Sequence, residues 1–197
     1  MPLPVHAAVV HLLITGCLLA LPPAEAYAQS VVILANNSDA EACMQAAEWT
    51  AMQQQASRAD TDACTRALDH SALSRRDRAA TLVNRGIVRV ALEDYQAALD
   101  DYNAAMQLMP ELPESYVSRG NLLFIANNIE AAIGDYDRAL DLMLGRSHIA
   151  LYNRGLANEK RGDRESALTD FRQALELRPD FAQAQAKIDA LTASAPP

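Results

Sequence analysis

Proline is missing from two long stretches of the 197-residue chain, 24–109 and 114–178; the nine prolines sit at 2, 4, 22, 23, 110, 113, 179, 196 and 197. Proline interrupts helices and central strands alike, so these stretches admit long elements, and their alanine and leucine content favours helix. Basic charge is also short: 17 Lys and Arg stand against 25 Asp and Glu, a net charge of −8. That balance opposes the phosphate-neutralising surface that nucleic-acid binding needs, so nucleic acid is excluded as a partner. Aromatics make up 5% of the chain and glycines number seven, few enough that each is expected to hold a defined place. With 50% apolar residues the chain can bury a core, but its length limits it to one or two small domains.

Chemistry-bearing motifs are scarce as well. The histidines beyond the first segment, His70 and His148, belong to no His-Glu-x-x-His pair, and the chain has no Gly-x-Ser-x-Gly elbow and no phosphate-cradling glycine loop. The acidic residues are spread along the chain as a solvated face would be. No catalytic residue, metal ligand or cofactor is assigned, and the chain is read as non-enzymatic.

Residues 1–28 have the form of a secretory signal peptide: an apolar stretch from Ala7 to Leu21, then Pro22-Pro23, then the small-residue pattern Ala26-Tyr27-Ala28 before Gln29. The n-region has no Lys or Arg. Two alternatives stand beside cleavage: a retained apolar anchor, and lipidation of Cys17 within Ile14-Thr15-Gly16-Cys17, although apolar residues follow that cysteine where a polar tether is expected. Cleavage leaves Cys43 and Cys64 in an oxidising compartment, where an even pair reads as a disulfide; the alternative is two small buried apolar residues. The expected location is export to the periplasm, with membrane contact only if Cys17 is lipidated.

What the chain does have is internal repetition. Asn84-Arg85-Gly86, Ser118-Arg119-Gly120 and Asn153-Arg154-Gly155 recur with their glycines 34 and 35 residues apart. Twelve residues after each glycine stands Ala98, Ala132 or Ala167; sixteen after, Tyr102, Tyr136 or Phe171; nineteen after, Ala105, Ala139 or Ala174. A glycine on one helix lets a second helix approach at the alanine, and the aromatic fills the gap beyond. The unit is a helix–turn–helix. Its turns fall at Glu93-Asp94, Asn127-Asn128 and Gly162-Asp163, where asparagine and glycine tolerate the left-handed backbone that ends a helix.

This pattern resembles the tetratricopeptide repeat (TPR) over about half the chain, in units 79–112, 113–147 and 148–181. The middle unit departs from it, having Leu144-Gly145-Arg146-Ser147 where the first and third close on Pro110 and Pro179. The resemblance implies an all-α, right-handed solenoid of helical hairpins. Residues 29–37 read as a linker and 38–78 as a degenerate N-terminal cap of two helices, Asp39–Gln55 and Thr61–His70. This cap has Glu48 where a repeat glycine would stand and is stapled by Cys43–Cys64 if the disulfide forms. Trp49 is expected to be packed inside it. Residues 182–191 form a capping helix and 192–197 a disordered tail.

Each unit also sets an arginine before the glycine and an aspartate fifteen after it: Arg85 and Asp101, Arg119 and Asp135, Arg154 and Asp170. An ion pair within each unit, or between adjacent units, is expected. The resemblance further implies that the first helix of each pair lines a concave binding surface. Residues three before, two before, one after and four after each glycine are expected there, which nominates Asn84, Asn121 and Asn153 for an extended peptide and Phe124 and Tyr152 as apolar contacts. With only two lysines, Lys160 and Lys187, the paired-lysine clamp for a peptide carboxylate used by some members is not supported. The expected partner is a protein or peptide segment, basic or neutral given the acidic chain. The alternative role is a lipid-anchored structural component of an envelope assembly.

Overall fold

The computed structural model describes residues 37–193 except 54, 71 and 144. The expected signal peptide, its expected cleavage site and Cys17 lie outside these residues. Nine helices and no strand occur among the described residues: α1 (Ser38–Gln53), α2 (Arg58–His70), α3 (Arg75–Ala91), α4 (Tyr95–Leu108), α5 (Pro113–Ile125), α6 (Ile129–Leu142), α7 (His148–Arg161), α8 (Arg164–Leu177) and α9 (Ala182–Ala193). Each odd-numbered helix up to α7 pairs with the one after it. The first helices α1, α3, α5 and α7 also pack on one another in order, so they form one layer of a solenoid.

Local chemistry sets the helix ends. Ser74 accepts from the Asp77 N–H and donates its hydroxyl to the Asp77 carboxylate, capping α3 on both sides. This cap starts α3 at Arg75, so the boundary expected at residue 79 falls inside a helix. Pro113 opens α5 at a position where its missing N–H costs nothing. Ser147 caps α7 through the Ala150 N–H, and Asp163 caps α8 through the Ser166 N–H. Within the three glycine-bearing pairs the first helix is followed by a residue in left-handed geometry, at Glu93 (φ 62°), Asn127 (φ 61°) and Gly162 (φ 89°). α2 begins at Arg58, three residues before the expected Thr61. α9 runs two residues beyond Leu191, with Thr192 donating back to the Ile188 carbonyl, so the expected tail loses Thr192 and Ala193 to helix.

Packing inside each pair follows the glycine. A Cβ on Gly120 would lie 2.7 Å from Cε1 of Tyr136, one on Gly155 would lie 2.6 Å from Cε1 of Phe171, and one on Gly86 would strike Tyr102. Only hydrogen at these three positions leaves room for the rings, which are buried together with Ala98, Ala132, Ala167, Ala105, Ala139 and Ala174. The core is therefore a string of small-residue contacts filled by one large ring per pair. At the C-terminal end Phe181, 4.9 Å from the Tyr152 ring between centroids, and Ala184 bring α9 over the last pair.

The N-terminal pair is locked differently. Cys43 and Cys64 are joined by a disulfide between α1 and α2, and both are fully buried. Ala67, nineteen residues after Glu48, is buried as its counterparts are. Trp49 is not packed in this cap: it is 57% exposed. The buried side chains of α1 are the small ones of Ala40, Cys43, Ala47 and Thr50, spaced three and four residues apart on one face, and Trp49 lies off that face.

Candidate functional site: the open row of the first helices

The arginines fix the register of all four pairs. Arg119 forks onto Asp135, with Nε donating to Oδ2 at 2.8 Å and Nη2 to Oδ1 at 2.7 Å, while Nη1 donates to Oδ1 of Asn103 in the preceding pair at 2.8 Å. Arg154 does the same with Asp170 (3.0 and 2.6 Å) and Asp137 (2.6 Å). Arg85 does so with Asp101 (3.0 and 2.7 Å) and Thr65 (3.1 Å). Each arginine thus bridges within its unit and between units at once. Burial works against the charge on Arg154, but the hydrogen bonds of Asp170 and Asp137 outweigh it and raise its pKa. The hydrogen bonds that Arg119 donates to Asp135 likewise raise its pKa. Asp101 also accepts from Arg89, and Asp170 from Asn158. Asn103 and Asp137 stand seventeen residues after their glycines, so Thr65 sets the corresponding origin of the N-terminal pair at Glu48.

With that register, equivalent positions on α1, α3, α5 and α7 can be compared. Three of the nominated contacts are the asparagines, and all are buried: Asn84 is 0% exposed, Asn121 5% and Asn153 3%. Tyr152 is buried as well, between the rings of Phe171 and Phe181, and burial, followed by the Glu159 carboxylate, pushes its hydroxyl up to about 12. These four are corrected from surface to interior. The reason is visible at Asn121, whose Oδ1 accepts from the Tyr136 hydroxyl at 2.8 Å and from Nδ2 of Asn153 at 2.9 Å. Asn121 and Asn153 thus bridge the first helices α5 and α7 through one hydrogen bond, while Asn121 Nδ2 is buried without a hydrogen-bond partner. Phe124 alone of the nominated set stays partly open, with Lys160 Nζ 4.9 Å above its ring.

The accessible row lies one turn further along each first helix, four and five residues after the glycine position. It comprises Met52 and Gln53 on α1, Val90 and Ala91 on α3, Phe124 and Ile125 on α5, and Glu159 and Lys160 on α7, all exposed or half-buried. Trp49 adds to it on α1. Five large apolar side chains are exposed among the described residues, and three of them, Trp49, Met52 (64%) and Ile125 (40%), belong to this row and its α1 end. Apolar residues dominate from α1 to α5, and charge takes over at α7, where Glu159 pairs with Lys187 of α9 at 2.7 Å. Sequence reasoning puts Glu48 at the glycine position but, lacking the glycine there, reads the pair as a closed cap, so Trp49 is expected inside it and Met52 is not nominated. The hydrogen bond from Arg85 to Thr65 agrees with the register that counting back from Cys64 gives. No group of three or more metal-ligating side chains is gathered among the described residues.

Comparison with known proteins agrees with this geometry. Residues 148–181 match the sequence model of the tetratricopeptide repeat. No curated protein sequence matches the chain. Among solved structures it is similar to the first TPR of Spaghetti (RPAP3) bound to the HSP90 peptide SRMEEVD, at 24% identity and TM-score 0.58 over 60% of this chain and 94% of that one. It is similar to MamA from residue 41 to the end, from Desulfovibrio magneticus RS-1, at 16% identity and TM-score 0.62 over 81% and 86%. It is also similar to YrrB, a TPR protein with an unusual peptide-binding site, at 22% identity and TM-score 0.55 over 66% and 64%. The chain has the fold of tetratricopeptide-repeat solenoids, and its last glycine-bearing pair, residues 148–181, matches that family's sequence model.

Proposed function

We propose that this protein is a non-catalytic adaptor of the bacterial cell envelope that holds a segment of another protein along the open row of its first helices. The observation that carries this reading is the placement of three of the five exposed large apolar side chains on that row and its α1 end. Large apolar side chains gathered on one exposed row of a small acidic protein are the ordinary mark of an interaction site. The peptide complex named for the Spaghetti domain and the peptide-binding site named for YrrB support the reading by analogy of fold. The periplasmic location rests on the signal-peptide pattern of residues 1–28, and a Cys43–Cys64 disulfide fits an oxidising compartment.

A photo-crosslinking amino acid placed at Ile125 tests both halves. In the native host it is expected to capture a defined partner in the periplasmic fraction. The same group at Leu177, equally exposed but on α8, is expected to capture none. Equal capture from the two positions, or adducts confined to the cytoplasm, would overturn the reading.

A further inference from the structure

Resting on that groove, we infer that the disulfide-stapled pair is its working end: Trp49 and Met52 form an anchor site for a bulky apolar side chain flanked by Lys or Arg in a peptide of another protein. The first step is the register. Cys64 stands sixteen residues after Glu48, where the other pairs have Tyr102, Tyr136 and Phe171. The N-terminal pair therefore lacks both halves of the glycine–ring lock, and the buried disulfide joins its helices instead. The pair is a fourth rung of the groove, and α1 packs on α3 as the other first helices pack on their neighbours.

The second step is exposure. At the position one residue after the glycine, Ile87, Asn121 and Leu156 are 6%, 5% and 7% exposed, whereas Trp49 is 57% exposed. The chain's only tryptophan is thus the one large side chain at this position left open, with Met52 one turn away at 64%. Tryptophan and methionine offer large, polarisable contact area, the first as an interface anchor and the second as an adaptable one.

The third step is charge. α1 carries Asp39, Glu41 and Glu48 and no Lys or Arg, within a chain of net charge −8. An acidic helix presenting an open indole face favours a cation beside the apolar side chain, through both the local field and the ring quadrupole. Asp39 is paired with Arg66 of α2 at 3.0 Å, so the local field that disfavours an acidic segment comes from Glu41 and from Glu48, next to Trp49. At the far end of the row Lys160 and Glu159 already have partners, Phe124 and Lys187. That end therefore offers less open apolar surface for an anchor.

The test uses the mature chain, residues 29–197, and nine-residue peptides blocked at both ends. Their central residue is Phe, Leu or Ala, and their flanks are Lys, Ser or Glu. Trp49 emission and peptide anisotropy are the readouts. Lys-flanked Phe or Leu peptides are expected to shift the emission to the blue and to bind at least tenfold more tightly than Ala-centred or Glu-flanked ones. Trp49→Ala is expected to cost at least tenfold, and Tyr95→Ala, exposed on α4, to cost nothing. If Ile125→Glu abolishes binding while Trp49→Ala leaves it intact, the groove stands and this inference falls. If neither variant weakens binding, or no peptide binds, both fall. Two further outcomes also overturn it. Self-association reversed by Trp49→Glu assigns the surface to a second copy. Emission that moves to the red on deleting residues 29–36 assigns it to the chain's own segment.

Discussion

A single arginine per unit does two jobs that a lysine could not combine. The planar guanidinium of Arg119 uses two nitrogens for Asp135 and a third for Asn103 of the preceding pair, a fork geometry that a point-charge ammonium does not provide. Asp135 is 6% exposed, so removing its partner strands a nearly buried carboxylate. Side-chain exposure of 28% at Arg119 tempers the loss relative to a fully buried pair, and Arg119→Ala is expected to cost about 2 kcal/mol. Thermal unfolding checks this, with a midpoint several degrees below wild type expected. A shift within about a degree would mean that the ladder of arginines is ornamental. At this scale the sequence was readable where spacing is enforced by contact: an offset of sixteen brought arginine to aspartate in each of the three pairs, as it brought glycine to ring. It was not readable for the asparagines, because the residue type says that an amide seeks partners and not whether those partners are a ligand or another asparagine.

Helices in this chain are marginal alone and owe their stability to their pairs. Three pairs are locked by a ring against a glycine, whereas α1 and α2, with Glu48 and Cys64 at those positions, are locked by a covalent bond. Reducing that bond is expected to cost about 3 kcal/mol on the chain-entropy model for a loop of this length. The loss should be local. Hydrogen exchange after reduction is expected to quicken in α1 and α2 and to stay unchanged in α5 to α8, because each pair in a solenoid contacts only its neighbours. Uniform acceleration through α8 would contradict the nearest-neighbour picture. Helix ends were the weaker part of the sequence reading for a physical reason. Ser74 caps α3 by bonding to Asp77, yet nothing in the repeat spacing marks residue 74, since the repeat is anchored on its glycine twelve residues later.

Across the whole molecule, the buried hydroxyls set how the fold responds to alkali. Burial, and then the Asp101 carboxylate, pushes the Tyr102 hydroxyl well above its ordinary value; burial, and then Glu159, holds Tyr152 near 12. In the unfolded chain a tyrosine ionises near pH 10. Above that pH the unfolded state binds fewer protons than the folded one, so stability is full below about pH 10 and falls as pH rises toward 12. The urea midpoint is expected to drop between pH 10 and 11.5, and the drop should shrink in a Tyr102→Phe, Tyr152→Phe double variant. A wild-type midpoint that holds constant over that range would refute the assignment.

Sequence alone determined the repeat, its phase and its all-helical character, because each depends on small residues and rings that must meet at fixed offsets wherever two helices close-pack. It also determined the acidic balance that points to a basic or neutral partner. Tertiary structure decided which face is open. Whether a residue on a first helix is buried depends on how closely the next pair's first helix lies against it, and no spacing within one repeat records that distance. Asn84, Asn121, Asn153 and Tyr152 fall inside that contact, and Val90, Ile125 and Lys160 fall beyond it. Trp49 joins them: the sequence places Glu48 at the glycine position and so sets its register, but only burial in the folded chain shows that its face of α1 is open.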